Sequence, residues 1–220
     1  MANSKGIQIQ LEILKILKDG KIHTKDEVKS TDSPLSAARG KNSSMSLAVE
    51  SVKNKESDII ISAGNTGVLL VMSKMILKTL ENVDKPALAG LWPNEKNMNV
   101  VLDLGANVEC SAKHLYEFAI MGSALVQSLN LKTKPVIGLL NIGSEDFKGN
   151  ETIKTAGQLI QKSNLNYAGF VEGDDMFNGK FDVIVTDGFA GNIALKSIEG
   201  VAKVINHFIK KEFTKNIFTK

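Results

Sequence analysis

The stretch VIGLLNIG at residues 136–143 decides the fold, because an apolar run passes there directly into a loop of Asn and Gly. Near-continuous hydrophobicity of this kind is typical of a strand that is covered on both faces. The same pattern recurs at residues 58–61, 100–104 and 182–185, and a helical pattern follows each run. Strand alternating with helix predicts right-handed crossovers and therefore an α/β fold with a mostly parallel sheet.

The segments between these runs complete the predicted elements. We predict helices over residues 67–80, 112–129, 151–161 and 190–213, and two further short strands over residues 87–91 and 167–171. Residues 1–19 are ambiguous, since Ile7 and Ile9 alternate as in a strand whereas Leu11 and Leu14 have helical spacing; we predict a helix. No linker rich in Pro, Gly or Ser divides the chain, so we expect residues 1–220 to form a single α/β domain.

Composition narrows the classes of partner. A formal charge of +3 without a basic stripe, together with few aromatic residues, argues against nucleic-acid binding. A single cysteine, Cys110, excludes an internal disulfide framework and favours a reducing compartment. The longest apolar stretch, residues 68–77, is interrupted by Ser73 and Lys74 and is shorter than the roughly 20 residues of a membrane span. We therefore expect a cytoplasmic protein.

The loops after the four predicted main strands are chemically alike. They read SAGNTG at residues 62–67, GANVE at 105–109, NIGSED at 141–146 and DGFAGN at 187–192. In an open parallel sheet, ligands bind beyond the carboxyl ends of the strands, where Gly admits a close ligand and Asn donates without adding charge. Helix starts also favour anions. The set predicts a phosphate cradle, although Gly and Asn also occur in such turns for conformational reasons alone.

Several sharper motifs do not occur. The chain has no G-x-G-x-x-G, no G-x-S-x-G and no H-E-x-x-H, and Lys148-Gly149 reverses the order of a Walker loop. Cys110 and His114 could share a helix face and form a metal or thiolate pair, but an ordinary half-buried pair is the favoured interpretation. A reaction in which the bound anion is itself the nucleophile is therefore favoured.

In order and spacing, these segments resemble the signature segments of PlsX-type phosphate acyltransferases. The resemblance runs from about residue 23 to residue 213 and rests on residues 62–67, 102–107, 138–143, 148–150, 185–192, Lys196, 199–200, and on 32–34, Arg39 and 43–45. It implies a three-layer α/β fold similar to phosphotransacetylases and to isocitrate and isopropylmalate dehydrogenases. It also implies transfer of a fatty acyl group from acyl carrier protein to inorganic phosphate, for fatty acid and phospholipid biosynthesis, without a metal or redox cofactor.

The resemblance also implies partners. A member of the family is expected to be a homodimeric cytosolic enzyme that acts near the inner face of the membrane. Its product is expected to pass to a glycerol-3-phosphate acyltransferase. Residues 198–213 are amphipathic. Packing in the core or in a dimer is the favoured interpretation of this helix, and contact with an anionic bilayer is the alternative.

The predicted site residues combine the loops with two cations. Direct attack of hydrogen phosphate on a thioester needs alignment, charge neutralisation and an oxyanion site. We predict catalytic roles for Asp187, Asn141 and Lys148, with Asp187 orienting phosphate or exchanging a proton with the leaving thiol. Phosphate or substrate contacts are predicted for Arg39, Ser62, Gly64, Asn65, Thr66, Gly67, Asn107, Gly143, Asn150, Gly188, Gly191 and Asn192.

Each assignment has a structural alternative. Arg39 and Lys148 are also consistent with solvated surface charges, and Asp187 with a helix cap. For Asn107 a turn is favoured over substrate contact. At the level of function, a dehydrogenase of the related fold and a non-catalytic fragment that binds a partner are the alternatives to the acyltransferase.

The ends of the chain depart from the resemblance. PlsX-type sequences begin with a strand that carries an Asp-x-Met-Gly-Gly-Asp motif, which residues 1–21 do not match, and they continue well beyond Phe213. The domain is therefore expected to be incomplete at both termini, and this chain alone is expected to show little or no transacylase activity.

Overall fold

The structure, a computed structural model, describes residues 22–29 and 31–214. The helix predicted for residues 1–19 lies outside the described residues. The chain forms two compact units, of which the first ends at Lys78 and the second begins at Thr79. The expectation of a single α/β domain stays a prediction.

The described part of the first unit is helical. It contains α1 (Pro34–Ala37), α2 (Ser44–Lys53) and α3 (Thr66–Leu77). Ser43 and Asn65 cap α2 and α3 by accepting hydrogen bonds from backbone N–H groups of the first turn. The buried apolar side chains in the described part of this unit are those of Ala38, Met45, Val49, Val68 and Met72. The helix predicted at residues 67–80 is confirmed, but it ends at Leu77 because Lys78 adopts a positive φ of 69°.

The strand predicted at residues 58–61 is wrong. These residues form no strand, and Ile59 and Ile61 are 72% and 80% exposed, whereas Ile60 packs against the buried cluster of the first unit. No strand among the described residues pairs with them. The β-branched residues of this segment show that it is apolar. A strand also needs a neighbouring strand with which to form hydrogen bonds, and composition does not reveal whether one is present.

The second unit is built on a mixed, mostly parallel sheet. In the described part of the chain its strands are β1 (Ala89–Pro93), β2 (Met98–Leu102), β3 (Val136–Leu140), β4 (Asn166–Val171) and β5 (Val183–Val185). Their spatial order is β1-β2-β5-β3-β4, with β1 antiparallel to β2 and the remaining pairs parallel. The predicted strands at 100–104, 136–140, 182–185, 87–91 and 167–171 are confirmed, with boundaries that shift by a few residues.

Helices cover both faces of this sheet. On one face, α4 (Ala112–Ser128) and α5 (Glu151–Gln161) bury Leu115, Phe118 and Ile160 against Val183 and Val185. On the other face, the 3₁₀ turn Asp175–Phe177 and α6 (Gly188–Phe213) pack beside Ile184. The indole of Trp92 stacks on the Phe177 ring in this layer, with 5.9 Å between ring centroids. The three-layer α/β prediction is confirmed.

The long helix α6 is only partly covered. Ile198 packs into the core, but the apolar side chains beyond it, Val201, Val204, Ile205, Phe208, Ile209 and Phe213, are all more than half exposed. Residues 201–213 therefore do not pack in the core that the described residues form, and their packing in a dimer stays a prediction. Within the described residues, no helix combines the length and the apolar character needed to cross a bilayer.

Candidate functional site

Three of the predicted loops follow three adjacent parallel strands. The order β2-β5-β3 brings the carboxyl ends of these strands to one edge of the sheet, and their loops continue from that edge. The loop at residues 62–67 and Arg39 belong to the first unit. The second unit therefore carries the loops after β2, β5 and β3.

The loop after β2 touches the first turn of α6. The backbone N–H of Gly188 donates to the carbonyl oxygen of Asn107 at 2.8 Å. Gly105 adopts a φ of +127°, and a Cβ there would lie 3.4 Å from the Cβ of Asn192. At Gly191 a Cβ would overlap the carbonyl oxygen of Asp103, so only glycine allows α6 to approach the loop this closely.

Asp103 organises this loop, and it is the functional candidate that the sequence prediction missed. Its carboxylate is fully buried and accepts hydrogen bonds from the backbone N–H groups of Gly105, Ala106 and Asn107 at 2.8–3.2 Å. The side-chain amide of Asn107 also donates to it at 2.7 Å, so Asn107 contributes to the shape of this turn. The available signal was an acidic residue inside an apolar run, immediately before a Gly-containing turn.

The start of α6 carries two predicted site residues with different surroundings. Asp187 caps the helix, because its Oδ1 accepts from the N–H of Ala190 at 2.7 Å. Asn192 is exposed, and among the described residues its side-chain amide has no hydrogen-bond partner. The Asn192 amide is therefore available to a ligand, whereas one oxygen of Asp187 is committed to the helix.

Asn141 closes the loop after β3. It is 7% exposed, its Oδ1 accepts from the N–H of Ile142 at 2.9 Å, and its Nδ2 donates to the carbonyl of Lys148 at 3.1 Å. Asn150 caps α5 by accepting from the N–H of Ile153 at 2.9 Å. Both amides therefore shape the loop, and their predicted contacts with substrate stay predictions.

Lys148 forms an ion pair with a neighbour in the same loop. Its Nζ lies 2.9 Å from Oε2 of Glu145, and both side chains are part-exposed. This hydrogen bond raises the pKa of Lys148 and lowers the pKa of Glu145, so both groups keep their charge near neutral pH. Gly143 lies directly under the Lys148 side chain, where a Cβ would overlap it. The pair is open to water and is weakened by salt.

The loop at residues 62–67 is built around a helix cap. Asn65 accepts from the N–H of Val68 at 3.1 Å, and Oγ of Ser62 accepts from the N–H of Gly64 at 3.2 Å. A Cβ on Gly67 would lie 3.1 Å from Cγ of Pro34. Thr66 and Arg39 are exposed. Arg39 has no ion pair among the described residues, so its guanidinium is accessible to an anion.

Cys110 and His114 do not form a pair. The Cys110 thiol donates to the carbonyl of Asn107 at 3.5 Å, and His114 accepts from the N–H of Ser111 at 3.1 Å in a capping box. Burial is the main cause that raises the pKa of Cys110, and Asp103 and Asp187 add to it, against a backbone hydrogen bond from Gly188. The thiol is therefore not activated as a nucleophile.

Comparison with known proteins gives consistent results. A family model described as "Fatty acid synthesis protein" matches residues 12–220. The chain is 61% identical to a phosphate acyltransferase of Pelagibacter ubique over 90% of this chain and 61% of that protein. It is 49% identical to a phosphate acyltransferase of Methylococcus capsulatus over 90% of this chain and 59% of that protein. The chain thus spans about three fifths of the length of these relatives.

A solved structure also shares the fold. The EutD phosphotransacetylase from Staphylococcus aureus matches 90% of this chain and 72% of its own, with a TM-score of 0.59 at 15% identity. At this identity the likeness shows the fold alone. It confirms the prediction of a phosphotransacetylase-like architecture.

Replacing Gly191 tests the close approach of α6 to the loop after β2. We expect Gly191→Ala to lower the free energy of unfolding by about 1–3 kcal/mol, because the added methyl group overlaps backbone that cannot move aside easily. Gly200→Ala is the matched control on the same helix, since nothing lies within 4 Å of a Cβ there; helix propensity should make it neutral or stabilising by up to about 1 kcal/mol. Urea unfolding measures both. Equal effects of the two changes would contradict the packing.

The raised pKa of Cys110 predicts a shifted alkylation profile. Because the thiolate is the reactive form, iodoacetamide labelling of the native chain should require a higher pH than labelling of the same chain in urea. Cys110 is the sole cysteine, so the label count by mass spectrometry reports this site alone. A native profile at lower pH than the unfolded one would contradict the assignment.

Proposed function

The chain belongs to the fatty acid synthesis protein family, and on that premise we propose that it moves a fatty acyl group from acyl carrier protein to inorganic phosphate. The resemblance to PlsX-type proteins is confirmed by that family and by relatives named phosphate acyltransferase. Their identity over nine tenths of this chain is the observation that carries the proposal. Because the chain covers about three fifths of those relatives, the activity of the whole protein is part of the proposal.

The proposed reaction is one acyl transfer. An oxygen of hydrogen phosphate attacks the thioester carbonyl carbon, a C–O bond forms, and the C–S bond breaks. The proton of hydrogen phosphate moves to the departing thiolate, so the products are acyl phosphate and the carrier thiol without any change of oxidation state. The protein has to align the two reactants and stabilise the negative charge that develops on the carbonyl oxygen.

Three side chains in the second unit are suited to these tasks. Asn192 offers an accessible amide beside the loop after β2, so we propose that it donates to phosphate or to the oxyanion. Asp187 uses Oδ1 for its cap, and Oδ2 is proposed to orient phosphate or relay the proton to the thiolate. Lys148 is charged, and we propose that phosphate competes with Glu145 for its ammonium group.

Three of the remaining predicted residues are asparagines that hold their own loops. Asn65, Asn141 and Asn150 use their side-chain oxygens for backbone N–H groups, so we propose that they fix the loops rather than bind substrate through those atoms. Arg39, an exposed cation of the first unit, is proposed to bind phosphate. No metal or redox cofactor enters the proposed reaction.

We propose that the exposed part of α6 is a homodimer contact of a cytoplasmic enzyme. Its apolar face and its lysines, Lys203, Lys210 and Lys211, are all accessible, so contact with the inner face of an anionic membrane is the competing proposal. Transfer of the product to a glycerol-3-phosphate acyltransferase at that membrane is compatible with either arrangement.

The Asn192 amide can be tested through acyl phosphate formation. With acyl carrier protein thioester, phosphate and hydroxylamine as the trap, we expect Asn192→Ala to reduce the rate or phosphate affinity about tenfold or more, the effect of losing one hydrogen bond to a charged ligand. Asn206→Ala, an exposed position on the same helix, should match the unchanged chain. Unchanged kinetics of Asn192→Ala would refute the assignment of this residue.

The same assay with the unchanged chain shows whether this chain catalyses the reaction by itself. Acyl hydroxamate from the purified 220-residue chain would establish turnover by this chain itself. Saturable binding of carrier protein and phosphate without product would instead support the fragment that needs a partner. Absence of both product and binding would contradict the proposed function.

A charge placed on the apolar face of α6 distinguishes the homodimer contact from the membrane contact. We expect a chain with Phe208→Asp and Phe213→Asp to become monomeric in light scattering, because buried carboxylates oppose an apolar dimer contact. Asn206→Asp adds charge on the polar side and should leave the dimer intact. A variant that stays dimeric but no longer sediments with anionic vesicles would favour the membrane instead.

A further inference from the structure

We infer that Asp103 is a positioning residue whose carboxylate fills the ring of N–H groups that the loop after β2 would otherwise offer to a bound anion. The loop therefore does not bind phosphate through these groups. Its part in the site is to hold the start of α6, where Asp187 and Asn192 lie. The phosphate-dependent part of this inference rests on the proposed function.

The hydrogen bonds show that the ring of N–H groups is already occupied. Oδ1 of Asp103 accepts from the N–H groups of Leu88 at 3.0 Å, Gly105 at 3.2 Å and Ala106 at 2.9 Å. Oδ2 accepts from the N–H and the side-chain amide of Asn107 at 2.8 and 2.7 Å. Successive N–H groups that converge in this way form an anion-binding concavity, and here the anion is the chain's own carboxylate.

Hydrogen bonds surround the buried carboxylate of Asp103. The side chain is fully buried, and among the described residues it forms no ion pair with a lysine, arginine or histidine. A buried carboxylate is costly unless hydrogen bonds compensate for its lost hydration. Removing any of these donors, or the charge itself, should therefore loosen the whole loop.

The loop transmits this order to α6 through backbone contacts. Asn107 donates to Asp103 through its backbone N–H and its side-chain amide, and its carbonyl oxygen accepts from the N–H of Gly188 at 2.8 Å. The carbonyl of Asp103 lies so close to Gly191 that a Cβ there would overlap it, and Asn192 rests against Gly105. The position of Asn192 therefore depends on the loop, and the loop depends on the carboxylate.

An emptied ring should accept an external carboxylate. In Asp103→Ala we expect formate to raise the melting temperature saturably and to shift the amide NMR signals of Gly105, Ala106 and Asn107. Formate should also return the signals of Gly188 and Asn192 toward their positions in the unchanged chain. In that chain, formate should not move the three loop signals, because the Asp103 carboxylate already accepts from those N–H groups. Movement of those signals by formate in the unchanged chain, or no effect of formate on Asp103→Ala, would overturn the inference.

A near-isosteric variant separates positioning from general stability. Asp103→Asn keeps the shape but turns one acceptor into a donor that faces N–H groups. Asp182→Asn is the matched control, because Asp182 lies directly before β5, at the edge of the sheet opposite to Asp103. Its carboxylate accepts from the N–H of Val136 at 2.7 Å and pairs with Lys132 at 2.8 Å. Both variants should be less stable than the unchanged chain.

Phosphate titration, followed through the Asn192 side-chain amide signal, then distinguishes the two variants. We expect Asp103→Asn to weaken phosphate binding about tenfold or more and Asp182→Asn to change it less than about twofold. Equal weakening in both, or none in Asp103→Asn, would show that Asp103 acts only on stability. If phosphate does not bind the unchanged chain, the proposed function fails, and the formate experiment with the Gly188 and Asn192 signals still decides the inference about Asp103.

Discussion

The pairing of β5 with strands on both sides is the constraint on which the second unit depends. β5 is only three residues long, yet it hydrogen-bonds to β2 and to β3. Val183 and Val185 contribute to one core and Ile184 to the other, so the same short strand joins both helical layers. Because β2, β5 and β3 are parallel, this pairing also brings the three loops to one edge.

Sequence patterns predicted the elements that bury apolar surface and failed where the outcome depends on a distant neighbour. Residues 136–140 and 182–185 are strands as expected, since an apolar run covered on both faces leaves a strong signal. Residues 58–61 have the same composition but no described strand beside them. The buried carboxylate of Asp103 was also missed, because the donors that explain it become neighbours only after the loop closes.

The asparagines of the loops show why a site is harder to read than a fold. An Asn at a strand-to-helix turn satisfies backbone N–H groups as well as it would bind an anion, and Asn65, Asn141 and Asn150 all do so here. Asn192 differs because it lies within the first turns of α6, beyond the cap position that Asp187 fills. The residues that flank these asparagines in the sequence are similar in type. The asparagines are distinguished by their hydrogen bonds in the structure.

The stacked indole of Trp92 provides an optical probe confined to one part of the protein. It is the sole tryptophan in the chain and lies almost fully buried in the second unit, so its emission reports the unfolding of that unit. Far-ultraviolet circular dichroism reports the helices of both units. Coincident denaturation curves from the two signals would indicate one cooperative transition, whereas separated midpoints would assign each unit its own stability.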